Sequence, residues 1–205
     1  MSVPATISEP LSPSQASASA IESPSRTRTN VLVTVGSTRF DAFVQAVLSE
    51  PVLAALRARG YSRLTVQCGN SEFDANGFEQ QEDGLVQTTE NGIGIVVWKF
   101  RPSLEEEYEK ADLVISHAGS GTILDVLRLP RPLIVVPNPT LLDNHQQELA
   151  DALGLLGHLR PSTVSELPQA IETLRDSKLV PFPPFNGSRF RELLDEEMGY
   201  VDSDG

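Results

Sequence analysis

Five short runs of mostly apolar, β-branched residues constrain the fold more than any other feature: residues 31–35, 64–68, 93–100, 113–116 and 133–136. Each is followed within three residues by glycine or proline. Runs of this length and composition read as strands, and near-continuous apolarity means burial on both faces. Between them the apolar spacing changes to a helical period. Phe40, Phe43, Val44, Val47 and Leu48 share one helix face, with Thr38 and Asp41 as a predicted capping pair. A short acidic helix is predicted over 104–110 and another over 122–129, and Asp143 and Gln146 are expected to cap a helix carrying Leu149, Leu153 and Leu156. Thr163 and Glu166 form a capping box before Leu167, Ala170, Ile171 and Leu174. Buried strands alternating with helices predict a single Rossmann-like α/β domain over residues 30–179, with a mainly parallel sheet covered by helices.

The flanking segments differ in kind. Residues 1–29 are dominated by Ser, Pro, Ala and Thr without an apolar period, and are expected to form a disordered tail. They lack the apolar centre of a secretory signal. Residues 69–92 are rich in Gly, Asn and Asp and read as a polar excursion outside the core. After a proline-rich connection at 180–186, Phe190, Leu193, Leu194 and Met198 make one apolar stripe on a terminal helix, opposite a run of acids. That stripe suits either the chain's own sheet or another protein.

Composition removes several function classes. The formal net charge is −12 and Lys and Arg are scattered. Nucleic-acid binding needs a basic stripe to neutralise phosphates, and anionic lipid attracts basic surfaces, so neither partner is expected. No stretch approaches the roughly 20 apolar residues that span a bilayer, so no direct membrane insertion is expected. Cys68 is the one cysteine, which excludes an internal disulfide, and its apolar run reads as core.

Ligands of open parallel sheets bind beyond the carboxyl ends of the strands. Gly36-Ser37-Thr38 follows the first strand, His117-Ala118-Gly119-Ser120-Gly121-Thr122 follows the fourth, and a third turn without glycine, Asn138 to Gln146, follows the fifth. Glycines admit a close backbone approach, small hydroxyl residues add donors, and helix starts offer unpaired N–H groups, so both glycine turns suit a diphosphate without a metal or other cofactor. Glycine turns also precede helices for purely structural reasons. A dinucleotide fingerprint fails because Leu124 stands where the third glycine belongs, and no lysine follows either turn as a P-loop requires. A hydrolase elbow at Ser120 fails because Ala118 and Thr122 replace its glycines. His117 has no second His or Cys at metal-ligand spacing.

Residues 95–156, with Phe100, Tyr108, Ala111-Asp112, Ala118-Gly119, Thr122, Asp125, Pro132, Val136-Pro137 and His145-Gln146, resemble the carboxyl-terminal half of GT-B glycosyltransferases that use UDP-N-acetylglucosamine. The motifs at 33–38 and 116–122, with Phe40-Asp41, extend the likeness to the eukaryotic family called asparagine-linked glycosylation protein thirteen, over roughly residues 30–160. The resemblance implies a half-enzyme on the cytosolic face of the endoplasmic reticulum. A membrane-anchored acceptor-binding subunit completes it, and the pair adds N-acetylglucosamine to a dolichol-diphosphate-linked first sugar. It further implies that Gly36, Ser37 and Thr38 face the diphosphate and that the backbone near Phe100 and Arg101 meets the uracil. His117, Gly119, Ser120, Gly121 and Thr122 line the phosphate site, Asp125 (Glu in many relatives) takes the ribose, and Asn144, His145 and Gln146 hold the sugar. No catalytic base is identified. The terminal stripe becomes a docking surface for the partner. The alternative is a non-catalytic nucleotide-binding regulator that keeps the same turns.

Overall fold

The computed structural model describes residues 29–82, 84–88, 92–141, 144–175 and 178–184. Residues 1–28 of the expected tail and the stripe from Phe190 to Met198 lie outside the described residues. Along the chain run β1 (Asn30–Thr34), α1 (Asp41–Val47), α2 (Glu50–Ala58), β2 (Arg63–Gln67), β3 (Glu79–Gln81), β4 (Gly84–Thr88) and β5 (Gly94–Trp98). They are followed by α3 (Glu105–Lys110), β6 (Leu113–His117), α4 (Ser120–Arg128), β7 (Leu133–Val136), α5 (His145–Leu155), β8 (Arg160–Pro161) and α6 (Leu167–Thr173). The strands form one sheet in the order β3-β4-β5-β2-β1-β6-β7-β8. All neighbours pair in parallel except β3 with β4 and β4 with β5.

Alternation along the central strands explains why their sequences are apolar throughout. Val31 and Val33 of β1, Leu113 and Ile115 of β6, and Ile134 and Val136 of β7 enter one core with α1, α2 and α6. Their neighbours Leu32, Val114, Leu133 and Val135 enter a second core with Tyr108 of α3, Ile123, Val126 and Leu127 of α4, and Ala150 of α5. A strand placed between two helical layers has no polar face to offer. The predicted α/β class is therefore the observed one, and Cys68 is a buried free thiol in the first core.

Several local expectations are corrected. The polar excursion carries the hairpin β3–β4, which turns back antiparallel onto β5 and packs Leu85 against the first core. Its strands are short and β3 is Glu-Gln-Gln, so no apolar run announces it. Thr38 and Asp41 do not cap α1: the Thr38 hydroxyl donates to the Val35 carbonyl (2.5 Å), and the Asp41 carboxylate accepts from Arg39 and the Glu72 N–H. A second helix, α2, begins at Glu50 with Pro51 in its first turn, where proline's missing N–H costs nothing. Asp143 lies outside the described residues, and Gln146 accepts the Asn138 N–H (3.1 Å) rather than capping α5. Leu149 and Leu153 pack on the second core, but Leu156 is exposed. Thr163 and Glu166 do bond, the Glu166 N–H donating to the Thr163 hydroxyl (3.2 Å) and that hydroxyl to the carboxylate (3.0 Å), but α6 begins beyond the pair with Glu166 itself at the N-cap and no side-chain cap bond. Behind it Leu167, Ala170, Ile171 and Leu174 are buried as expected.

At the opposite edge from the glycine turns, the buried Asp112 carboxylate accepts the backbone N–H groups of Thr29 (2.9 Å) and Asn30 (3.0 Å). These donors open the central strand, where a charged acceptor supports more than a neutral one. Asp112→Ala is expected to lower unfolding free energy by about 1–3 kcal/mol, measured by urea titration with an unchanged m-value.

Candidate functional site

The site follows from strand order. β1 and β6 are hydrogen-bonded neighbours in parallel register, with Thr34 opposite Ser116, so the turns after them leave the same edge side by side. β1 continues outward to β2 and β6 to β7, so this is the switch point where α/β sheets open a ligand crevice. Gly36 takes φ +61°, a left-handed conformation suited to glycine. Gly119 precedes α4, whose first N–H groups, on Ser120, Gly121 and Thr122, have no acceptor within the helix. The Ile123 N–H is the first to close a helical bond, onto the Gly119 carbonyl (3.0 Å).

One imidazole joins the two turns. His117, at the end of β6, is 7% exposed. A Cβ at Gly36 would lie 2.9 Å from its Cε1, and a Cβ at Gly119 only 2.4 Å from its Nε2. Both glycines are therefore required by the ring that fills the space between them. Gly121 is different: a Cβ there would meet nothing within 4 Å. Burial pushes the His117 pKa below its ordinary value, and the Thr34 backbone pulls the other way.

A second buried side chain sets the shape of the first turn. The Gln67 carboxamide is 2% exposed. Its oxygen accepts from the Thr34 hydroxyl (2.5 Å) and the Gly36 N–H (2.8 Å), and its nitrogen donates to the carbonyls of Gly36 and Lys99 (both 2.7 Å). Asn70 donates to the Ser37 carbonyl (3.0 Å), and the Ser71 hydroxyl accepts the Phe40 N–H (2.9 Å). The buried Asn138 side chain donates to the Arg39 carbonyl (3.2 Å), which ties the turn after β7 to the turn after β1. Sequence reading passed over Gln67 and Ser71, and marked Asn138 only as the start of the turn after β7. The signal available was a polar residue at the end of an otherwise apolar strand or just after it.

The remaining candidates fall around this centre. Ser37 and Ser120 are exposed at the two turns, whereas the Thr38 hydroxyl proton is committed to Val35. Asp125, on the second turn of α4, borders a cavity of about 550 Å³ with Ser103, Leu104 and Tyr108. Burial raises the Tyr108 pKa, the Thr122 side chain pulls it down, and the Asp125 charge adds to the rise. Phe100 is 54% exposed beyond β5, free to meet a flat ligand. The Arg101 guanidinium lies 4.5 Å over the Trp98 ring and pairs with Glu107 (2.6 Å), which holds the side chain between β5 and α3. Asn144 and His145 open α5 on the exposed side, His145 standing 3.8 Å from Glu148, while Gln146 bonds inward to the Asn138 N–H. Among the described residues no group of three His, Cys, Asp or Glu side chains is placed to hold a metal.

The glycosyltransferase family 28 C-terminal domain matches residues 30–196. The chain belongs to this family. The UDP-N-acetylglucosamine transferase subunit ALG13 of Cryptococcus neoformans is 38% identical over 193 residues, covering 83% of this chain and 96% of that protein. The subunit of the same name from Saccharomyces cerevisiae is 34% identical over 192 residues, covering 82% and 95%. The human one is 39% identical over 129 residues, which are 63% of this chain but 10% of the human protein. An NMR solution structure of ALG13 aligns with TM-score 0.60 at 28% identity, covering 86% of this chain and 98% of that one. Acinetobacter baumannii MurG aligns with TM-score 0.51 at 24% identity, covering 74% and 43%, which shows a shared fold.

For this glycosyltransferase domain the two glycines of the second turn make different predictions. Gly119→Ala should displace the His117 ring, with a loss of about 1–3 kcal/mol in stability and a changed His117 NMR environment. Gly121→Ala should leave stability level or raise it by up to about 1 kcal/mol, because alanine favours a helix. Equal destabilisation of the two variants in urea titrations would contradict the wedge geometry.

Proposed function

We propose that the chain is the donor-binding, catalytic subunit that transfers N-acetylglucosamine from UDP-N-acetylglucosamine to N-acetylglucosaminyl-diphosphodolichol. A membrane-anchored subunit supplies the acceptor-binding half and holds this chain on the cytosolic face of the endoplasmic reticulum. The observation that carries the reading is the meeting of the Gly36 and Gly119 turns on one edge of the sheet, joined through His117. The names of relatives matched over 95–96% of their length support the donor and the subunit organisation. No helix among the described residues is long and apolar enough to cross a membrane, which fits a lipid acceptor presented by a partner.

In this reading the diphosphate lies across Gly36, Ser37 and the first N–H groups of α4. Ribose hydroxyls donate to Asp125, the uracil meets the backbone at Phe100 and Arg101, and Asn144, His145 and Gln146 face the sugar. Transfer is a single inverting displacement. The acceptor hydroxyl oxygen bonds the anomeric carbon while the bond from that carbon to the β-phosphate oxygen breaks, and its electron pair leaves with UDP. Backbone donors already aimed at the diphosphate need no reorganisation as that charge grows. The acceptor proton passes to a base, for which the completed two-subunit site has to provide a group.

Transfer to a diphosphate-linked acceptor should need both subunits, whereas a non-catalytic regulator would give none with either arrangement. Asp125→Ala should lower kcat/KM about 10- to 100-fold, the equivalent of losing a charged hydrogen bond, with the fold intact because Asp125 is exposed. Unchanged kinetics would remove Asp125 from the ribose site. Leu193→Asp with Leu194→Asp should abolish co-purification with the membrane subunit, and retained association would remove the terminal stripe from the interface.

A further inference from the structure

The described centre of the site contains a buried ring and no uncommitted arginine, and the charge of Lys99, just past β5, acts on the Cys68 thiol. Arg39 is held by Asp41 (2.7 Å) and Glu72 (3.2 Å), and Arg101 by Glu107. A donor diphosphate brings two negative charges that the backbone N–H groups of Ser120, Gly121 and Thr122 meet only with partial charge.

His117 can supply the missing charge. Its Cε1–Nε2 edge lies between Gly36 and Gly119, directly beneath both turns, and its Nδ1 is buried without a hydrogen-bond partner among the described residues. The ionisable groups on the surrounding elements are engaged elsewhere. Arg39 and Asp41 pair beyond β1, Asp125 of α4 acts on Tyr108, and His145 of α5 stands near Glu148. Burial, the larger influence on the ring, disfavours its charged form, and the Thr34 backbone pulls the other way. A neutral imidazole always has one bare nitrogen that accepts hydrogen bonds. Phosphate oxygens also only accept, so a neutral ring beneath a diphosphate opposes one acceptor to another.

We infer that His117 takes up one proton from solvent when the donor diphosphate settles on the two turns, so that an imidazolium forms the floor of the occupied site. This rests on the assignment of the turns to the diphosphate. The proton adds to the free ring nitrogen, both nitrogens become donors, and no bond of the sugar nucleotide changes. The same imidazolium then stands beside the β-phosphate as it gains charge during transfer, so the interaction strengthens where the reaction needs it. It also explains why glycine is required on both sides: any larger residue would push the ring away from the phosphates.

The sign of the pH dependence follows. The free ring has a pKa below its ordinary value of about 6.5, and the bound ring has a higher one. Between the two values donor affinity falls about tenfold for each unit of rising pH, and below the free value it is level.

The test uses the full chain with isotopically labelled histidine. Its three histidines, His117, His145 and His158, are followed by NMR from about pH 5 to about pH 8, without and with saturating UDP-N-acetylglucosamine. That donor's diphosphate has no titrating proton in this range, so a linked proton belongs to the protein. The amides of Gly36 and Gly119 report binding independently. The expected result is a His117 pKa raised by about one unit or more on binding. His117→Gln should bind with affinity level across the range, whereas His158→Gln should keep the wild-type slope. Shifted Gly36 and Gly119 amides with an unmoved His117 pKa overturn the proton uptake and leave the donor site standing. A slope that survives in His117→Gln overturns it equally. No response at Gly36 or Gly119 overturns both the proton uptake and the donor site beneath it.

Discussion

The Gln67 carboxamide holds the functional edge of this domain together. An amide side chain offers two acceptor lone pairs and two donor hydrogens, and here all four are used inside the protein, on Thr34, twice on Gly36, and on Lys99. Buried polar groups are costly unless satisfied, so a fully satisfied one specifies a single arrangement. Apolar replacement would leave the Gly36 N–H and two carbonyls without these partners. Gln67 fixes where Gly36 points and where the chain after β5 begins, and those two positions bound one half of the crevice. Gly69 presses the point further, because a Cβ there would come 2.5 Å from the Gly36 carbonyl.

The other half depends on a wedge rather than a clasp. His117 occupies the volume that side chains at Gly36 and Gly119 would need, so three residues far apart in sequence specify one another. Both turns looked like anion sites on their own, and either could have been a structural strand-to-helix turn. The register of Thr34 with Ser116 and the shared imidazole make them one site. A buried ring set between two backbone turns also couples them mechanically, because neither can move toward a ligand without moving the ring.

This contrast explains what was legible beforehand. Periodicity reports which face of an element is buried, so β1, β6, β7 and the apolar faces of α4 and α6 could be read from residues such as Leu113, Ile123 and Ile171. Glycines after strand ends marked the two turns for the same local reason. Contacts that close across the sheet leave no periodic trace. Gln67 looks like an interruption of a strand, Asn138 like an ordinary loop residue, and Thr38 with Asp41 like a cap, although the Val35 carbonyl claims the first side chain and the distant Glu72 N–H the second. The hairpin β3–β4 escaped because an edge strand exposed to water can be Glu-Gln-Gln, and α2 because it follows α1 after only two residues. Local rules recovered the scaffold. The site's precision came from individual polar residues whose partners are distant in sequence.

The distribution of exposure across the crevice bears on what this domain can hold by itself. Its floor is dry: Gln67, Ser116, His117 and Asn138 are all buried. Its rim is wet, with Ser37, Phe100, Ser120, Asp125 and His145 facing solvent. A preorganised floor can hold a diphosphate with fixed donors, but hydrogen bonds at an open rim compete with water and contribute little each. Sugar transfer also needs water kept from the anomeric carbon, and a surface open on one side cannot exclude it. Under the proposed function a division of labour follows from these two facts: the chain's own backbone and buried side chains build the anion site, while dehydration of the reacting centre requires a second surface closing over the rim.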